Sequence, residues 1–174
     1  MPPSSAPIAY TLLVIDQPAQ PIRYVFVHDR SGDVLTLRAA FDEGGATVTS
    51  TADAPAVRFT GGGAGGDGAP VVKRTEGNSE SEVLIEGDRM VFEVGKTNWT
   101  VSRPTERRLE VVGPPSVGRT IAEHSTGSLD RRSATYDVWA IAPPQETTAI
   151  LRLIVESLTV TRLLSLAPPV HLDG

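Results

Sequence analysis

AILRLIVESLTVTRLLSL, residues Ala149–Leu166, is the most apolar stretch of this chain. Wound as a helix, its apolar side chains at 149, 150, 151, 153, 154, 155, 158, 160, 163, 164 and 166 surround the axis instead of forming one stripe. A helix that is apolar on every side has to be buried on every side. Ahead of it, Pro143-Pro144-Gln145-Glu146-Thr147-Thr148 puts Pro and an acid where a first helical turn tolerates or favours them. Pro168 and Pro169 end regular structure behind it. The pattern predicts a helix over about 145–164. Leu158-Thr159-Val160-Thr161 also alternates as a strand does, so 157–164 stays open between helix and closing strand. Arg152, Glu156 and Arg162 interrupt the run and argue against a transmembrane segment.

Everything before that segment reads as β. Strand-like runs fall at Ile8–Ile15, Ile22–His28, Val34–Phe41, Ala46–Ser50, Ala56–Thr60 and Pro70–Arg74. They continue at Glu82–Ile85, Met90–Val94, Asn98–Arg103, Arg107–Val112, Arg119–His124 and Ala134–Ile141. Asp29-Arg30-Ser31-Gly32-Asp33 is a hairpin signal between the second and third runs. Thr75–Ser81 reads as polar turn material. About twelve short strands at such spacing predict an all-β (β-rich) fold, a barrel or curved sandwich around one apolar C-terminal helix. The natural place for that helix is the concave face of the sheet. One domain over 8–166 is expected, with disordered tails at 1–7 and 167–174.

Thr60–Pro70, TGGGAGGDGAP, holds six Gly in eleven residues. With no side chains to fix a register, it is expected to be a flexible loop over 60–70. A phosphate cradle fits poorly, because Asp67 and Pro70 stand where backbone N–H groups would have to face an anion. Gly95-Lys96-Thr97 imitates the end of a P-loop, but the first Gly of that motif would fall on Met90.

YVFVHDRSGDVL (Tyr24–Leu35), FEVGKTNWTVSR (Phe92–Arg103) and VGRTIAEHSTG (Val117–Gly127) followed by ATYDVWAIAPPQETTAILRLIVESL (Ala134–Leu158) resemble, in layout, successive hairpins and the last strands of tubby-like barrels. That superfamily includes the LURP-one-related and phospholipid-scramblase-like proteins. The resemblance covers about residues 20–165. It implies strands closing around a central hydrophobic helix, and a binding function. The Gly-rich insertion and modest size depart from the larger tubby domains. No motif here matches their phosphoinositide-binding basic residues, so no functional residue carries over.

Composition narrows the chemistry. The 174 residues carry 16 Lys+Arg against 21 Asp+Glu, a formal net charge of -5. That argues against a nucleic-acid partner. The first half is the acidic one. Without Cys, disulfides, zinc–thiolate sites and thiol catalysis are excluded. No basic start and long apolar stretch forms a secretory signal, so a soluble, cytoplasmic protein is expected. Asn98-Trp99-Thr100 is formally a glycosylation acceptor, and without a signal it reads as chance.

No catalytic constellation stands out. His28-Asp29 could pair as base and orienting carboxylate, but beside a turn it reads as capping. His124 and His171 have no suitable partners nearby, and Asp29, Asp33, Glu76, Glu80 and Glu82 lack the spacing of a cation site. No metal, no cofactor and no enzymatic activity are expected. Trp99 and Trp139 fall in strands and read as core. The one cluster with chemical promise is basic: Arg103, Arg107, Arg108, Arg119, Arg131 and Arg132 stand in or beside turns. Brought to one rim, they would form an anionic-ligand site suited to phosphate or lipid headgroups. Glu106, Glu110 and Asp130 interleave and could cancel it. The leading expectation is a non-enzymatic binding module for an anionic lipid surface or a protein partner. One alternative is an assembly protein forming homo-oligomers through its apolar C-terminal segment. Another is a small-ligand barrel, which requires the helix to leave the interior free.

Overall fold

A computed structural model describes residues 8–51, 55–64, 70–94, 96–105, 108–113, 120–124, 133–140 and 144–166. Twelve strands run in sequence order: β1 Ile8–Ile15, β2 Ile22–His28, β3 Val34–Asp42, β4 Gly45–Ser50, β5 Val57–Ala64 and β6 Pro70–Glu76, then β7 Ser79–Glu86, β8 Arg89–Val94, β9 Thr97–Thr105, β10 Arg108–Val112, β11 Thr120–His124 and β12 Ser133–Ala140. The helix α1, Pro144–Leu166, ends the series. Each strand pairs antiparallel with the next, and β1 pairs with β12 from Ile8↔Ala140 to Ile15↔Ser133. That last pairing closes a barrel, which leaves no unpaired sheet edge.

Period-two alternation decides which side chains enter the barrel. Ile22, Tyr24 and Phe26 of β2 point in and are buried, as do Leu37 and Ala39 of β3, Val57 and Phe59 of β5, and Trp99 and Val101 of β9. α1 occupies the space they enclose. Ile150, Leu151, Leu153, Ile154, Val155 and Val160 are all buried, on every side of its axis. α1 packs closest to β3–β5 on one side and to β9 and β10 on the other. Strands β4 and β10 lie opposite each other in the ring of twelve. The wall therefore presses on the helix along one diameter and stands away from it along the other.

The helix also settles the ambiguity over 157–164. Ser157 Oγ donates to the Ile154 carbonyl at 2.8 Å, Thr159 Oγ1 to Val155 at 2.7 Å and Thr161 Oγ1 to Ser157 at 2.8 Å. The hydroxyls that lend this segment its strand-like pattern are satisfied by the helix's own backbone.

Three local expectations are corrected. First, β5 extends through Gly61–Gly63 to Ala64, with a register shift against β6, so the first part of the glycine-rich segment is wall and not loop. Residues 65–69, like the tails 1–7 and 167–174, lie outside the described residues. Second, Thr75–Ser81 is not a long polar turn. Glu76 pairs with Ser79, and only Gly77-Asn78 turn, with Gly77 at φ 59°. That is the Gly-X form of a tight hairpin, as is Gly87-Asp88 between β7 and β8. Third, Trp139 is not core. Tyr136 and Val138 of β12 face in, which turns Trp139 outward with 38% exposure. Among the described residues, no helix is long and apolar enough to cross a membrane.

Candidate functional site at the ends of the barrel

The barrel ends differ in how they treat charge. Toward the barrel end through which α1 enters, and around Glu156 at the middle of the helix, four charged side chains converge inside the wall. Arg74 of β6 follows Val72 inward and meets Glu156 of α1, Nε to Oε1 at 2.6 Å and Nη2 to Oε2 at 3.2 Å. Both side chains are almost fully buried. Glu76 accepts from Arg74 at 3.2 Å and pairs with Arg152 at 3.0 Å. Arg152 also lies 3.4 Å from Glu156 and donates to the Pro55 carbonyl at 3.0 Å. Burial pushes the Glu156 carboxyl above the usual carboxylate range, and Arg74 and Arg152 pull against that shift. The alternating charges satisfy one another and join wall to plug. Every group is committed to a partner, so this end is built as structure.

Where α1 ends, the charged groups line open clefts. The β1–β2 connection from Asp16 to Pro21, with Ile22, Phe41 and Arg162, surrounds a cleft of about 430 Å³. A second, of about 280 Å³, lies between α1 and the wall, where Arg103 of β9 and Arg162 of α1 meet Asp16, Tyr24, Tyr136 and Thr161. A third, also about 280 Å³, continues past Arg103 and Thr161 toward β7, β8 and β10. Arg162 Nη1 pairs with Asp16 Oδ2 at 3.1 Å, with the arginine side chain 46% exposed. Burial pushes the Tyr24 hydroxyl up to about 12, against the pull of Thr159 and Arg162. Burial also raises Tyr136, with the Arg103 charge opposing it. Both phenols are neutral hydroxyls at ordinary pH, and that of Tyr24 is hydrogen-bonded to Thr159.

Of the six arginines singled out from the sequence, two fall among the described residues, and the wall separates them. Arg103 shares the inward face of Trp99 and Val101, and its backbone N–H donates to the Asp88 backbone carbonyl at 2.9 Å. Arg108 precedes inward-facing Leu109 and so points outward, pairing with Glu110 at 3.0 Å and Glu123 at 3.7 Å. Glu110 thus neutralises Arg108, as its place in the sequence allows. Arg107, Arg119, Arg131 and Arg132 lie outside the described residues.

His28 caps its turn. Its Nδ1 accepts from the backbone N–H of Arg30 at 3.2 Å and of Ser31 at 3.0 Å. Asp29 accepts from Thr11 Oγ1 at 3.1 Å and is not aimed at the imidazole as a partner. Among the described residues, no cluster of three His, Asp or Glu could hold a metal ion.

Sequence reasoning did not single out Arg162, Asp16, Tyr24, Tyr136 or the Arg74–Glu156 pair as site residues. One signal was available. A helix buried all round cannot carry Arg152, Glu156 and Arg162 without partners from the wall. Comparison of the chain with protein-family models, with curated proteins and with solved structures finds no match.

Proposed function

We propose that this protein is a non-enzymatic binding module that engages an anionic surface, a layer of acidic lipid headgroups, through the end of the barrel where α1 finishes. One observation carries the reading. Arg103 from the wall and Arg162 from the plug line one cleft together with the hydroxyl-bearing Tyr24, Tyr136 and Thr161. Arginine suits phosphate oxygens, and open clefts leave room for a headgroup. The plugged-barrel layout is also what supports reading the chain as a tubby-like barrel, and that kinship is part of the proposal.

The alternatives lose their stated basis. α1 lies inside its own barrel, so it is not an exposed apolar segment available between subunits, and it takes up the central cavity of a hollow ligand barrel, leaving only clefts beside its last turns. The test is co-sedimentation with vesicles containing phosphatidylserine and with neutral vesicles, at low and at physiological salt. Binding to the acidic vesicles only, weakened by salt, lost in the Arg103→Gln/Arg162→Gln double variant and kept in Arg108→Gln, is the expected result. No binding at either salt, or equal loss in Arg108→Gln, overturns it.

A further inference from the structure

The third cleft differs in character from its neighbour. It runs between the last turns of α1 and the wall at β7–β10, and its sides are Ile85, Met90, Val101, Leu109 and Leu164. Its volume of about 280 Å³ is close to the lower end of small-molecule sites, roughly 300 Å³. At one end of this apolar slot stand Arg103 and Thr161, which also line the headgroup cleft. Asp88 sits at the rim, exposed in the β7–β8 turn, while Arg103 is half-buried. A guanidinium set partly inside a low-dielectric slot attracts an anion more strongly than the rim carboxylate, which water screens, repels it. The shape and chemistry match a molecule with one apolar chain and one anionic head.

We propose that this slot holds a medium-chain fatty carboxylate, its chain between α1 and the β7–β10 wall and its head on Arg103. The proposal deepens the anionic-surface reading and rests on it for the role of Arg103. A free carboxylate suits this head position, since a planar carboxylate accepts two parallel hydrogen bonds from one guanidinium. The slot is also too small for a two-chain lipid.

The chain has two methionines, Met1 and Met90, and Met90 lines the slot. Methyl-¹³C methionine labelling of the full chain therefore yields a two-signal spectrum with one reporter in place. Hexanoate, octanoate and decanoate, each below its micelle concentration, are titrated against it, with decanol as the uncharged control. A saturable shift of the Met90 methyl is expected, tightening about fourfold per added methylene until the slot is full. Arg103→Gln should weaken decanoate at least tenfold and leave decanol unchanged. Leu164→Trp, at the half-exposed end of the helix, should block both while thermal melting shows the barrel still folded.

No saturable Met90 shift with decanoate overturns the proposal. So does decanol binding as tightly as decanoate, or an Arg103→Gln effect that is the same on both. Vesicle binding separates the two readings. Sedimentation with acidic vesicles but no Met90 shift leaves the surface reading standing and removes this one. A Met90 shift without sedimentation does the reverse.

Discussion

Both ends of this barrel bring arginines and carboxylates from wall and plug together, and the two ends use them in opposite ways. Around Glu156 the charges are buried or mostly buried, and each is held by two or more partners. Around Arg162 the ion pair stands beside open clefts, and its geometry leaves water in contact with both groups. The difference follows from the shape of the wall. A helix pressed on two opposite arcs leaves room along the other diameter. Arg74, a long side chain, reaches Glu156 at one end, and at the other end space between helix and wall stays open as clefts. Stability and ligand binding should therefore separate along the helix axis.

The largest effect should come from breaking the buried network on one side only. Glu156→Ala leaves Arg74 charged, buried and short of its main partner, and should cost about 3–5 kcal/mol in urea unfolding. Arg74→Met combined with Glu156→Leu removes both charges and should recover most of that loss. If the single variant is as stable as the parent, the two ends do not differ as described.

Apolar truncations along α1 should follow the same gradient. Ile154→Ala empties a site with no exposure and should cost about 2–5 kcal/mol. Leu164→Ala, half-exposed beside the slot, should cost clearly less, since water already reaches part of the side chain. Equal losses would mean that the clefted end is as tightly packed as the closed one. Smaller still is Arg162→Ala. An exposed ion pair contributes roughly 0–1 kcal/mol, so its removal should leave the unfolding midpoint nearly unchanged while reducing binding to acidic vesicles.

How much of this the sequence shows depends on whether a signal is local. The apolar ring around Ile150–Leu164 is local and specifies a buried helix by itself. Strand positions follow from runs of β-branched residues and their turns. Which face of a strand enters the barrel is less local. In Tyr136-Asp137-Val138-Trp139, either aromatic can claim the core, and Asp137 on the face of Trp139 is the signal that Trp139 faces out. Arg74 is harder again, because Val72-Lys73-Arg74-Thr75-Glu76 looks like a solvated strand end until Glu156 is seen across the interior. A charge pairing over that separation in sequence leaves no trace at either residue alone. The cleft residues are brought together from β1, β2, β9, β12 and α1, so no segment announces them.

Outside the barrel, at the same end as the clefts, Asp42 and Arg58 give a finer test of the contrast between committed and screened charge. Arg58 grips Asp42 with both nitrogens at 2.9 Å, and Nη1 also donates to Thr47 at 2.8 Å. Asp42 Oδ1 further accepts from the backbone N–H of Gly44 and Gly45, which closes the β3–β4 turn. The Arg58 hydrogen bond and these turn donors hold the Asp42 carboxyl at about 2, below its ordinary 3.8. Because the folded state binds this proton less readily than the unfolded chain, the pair's stabilisation is complete above the ordinary value. It is lost as pH falls from about 3.8 toward 2. Asp42→Asn should therefore flatten that part of the curve of unfolding midpoint against pH without altering its shape near neutrality. Glu156 should act in the opposite sense. Its raised folded value means that the contribution of burial to stability declines as pH rises through the carboxylate range and above. An unfolding curve for Asp42→Asn with the parent's full acid-side slope would show that the exposed pair is screened out. The acid sensitivity would then have to come from other carboxylates.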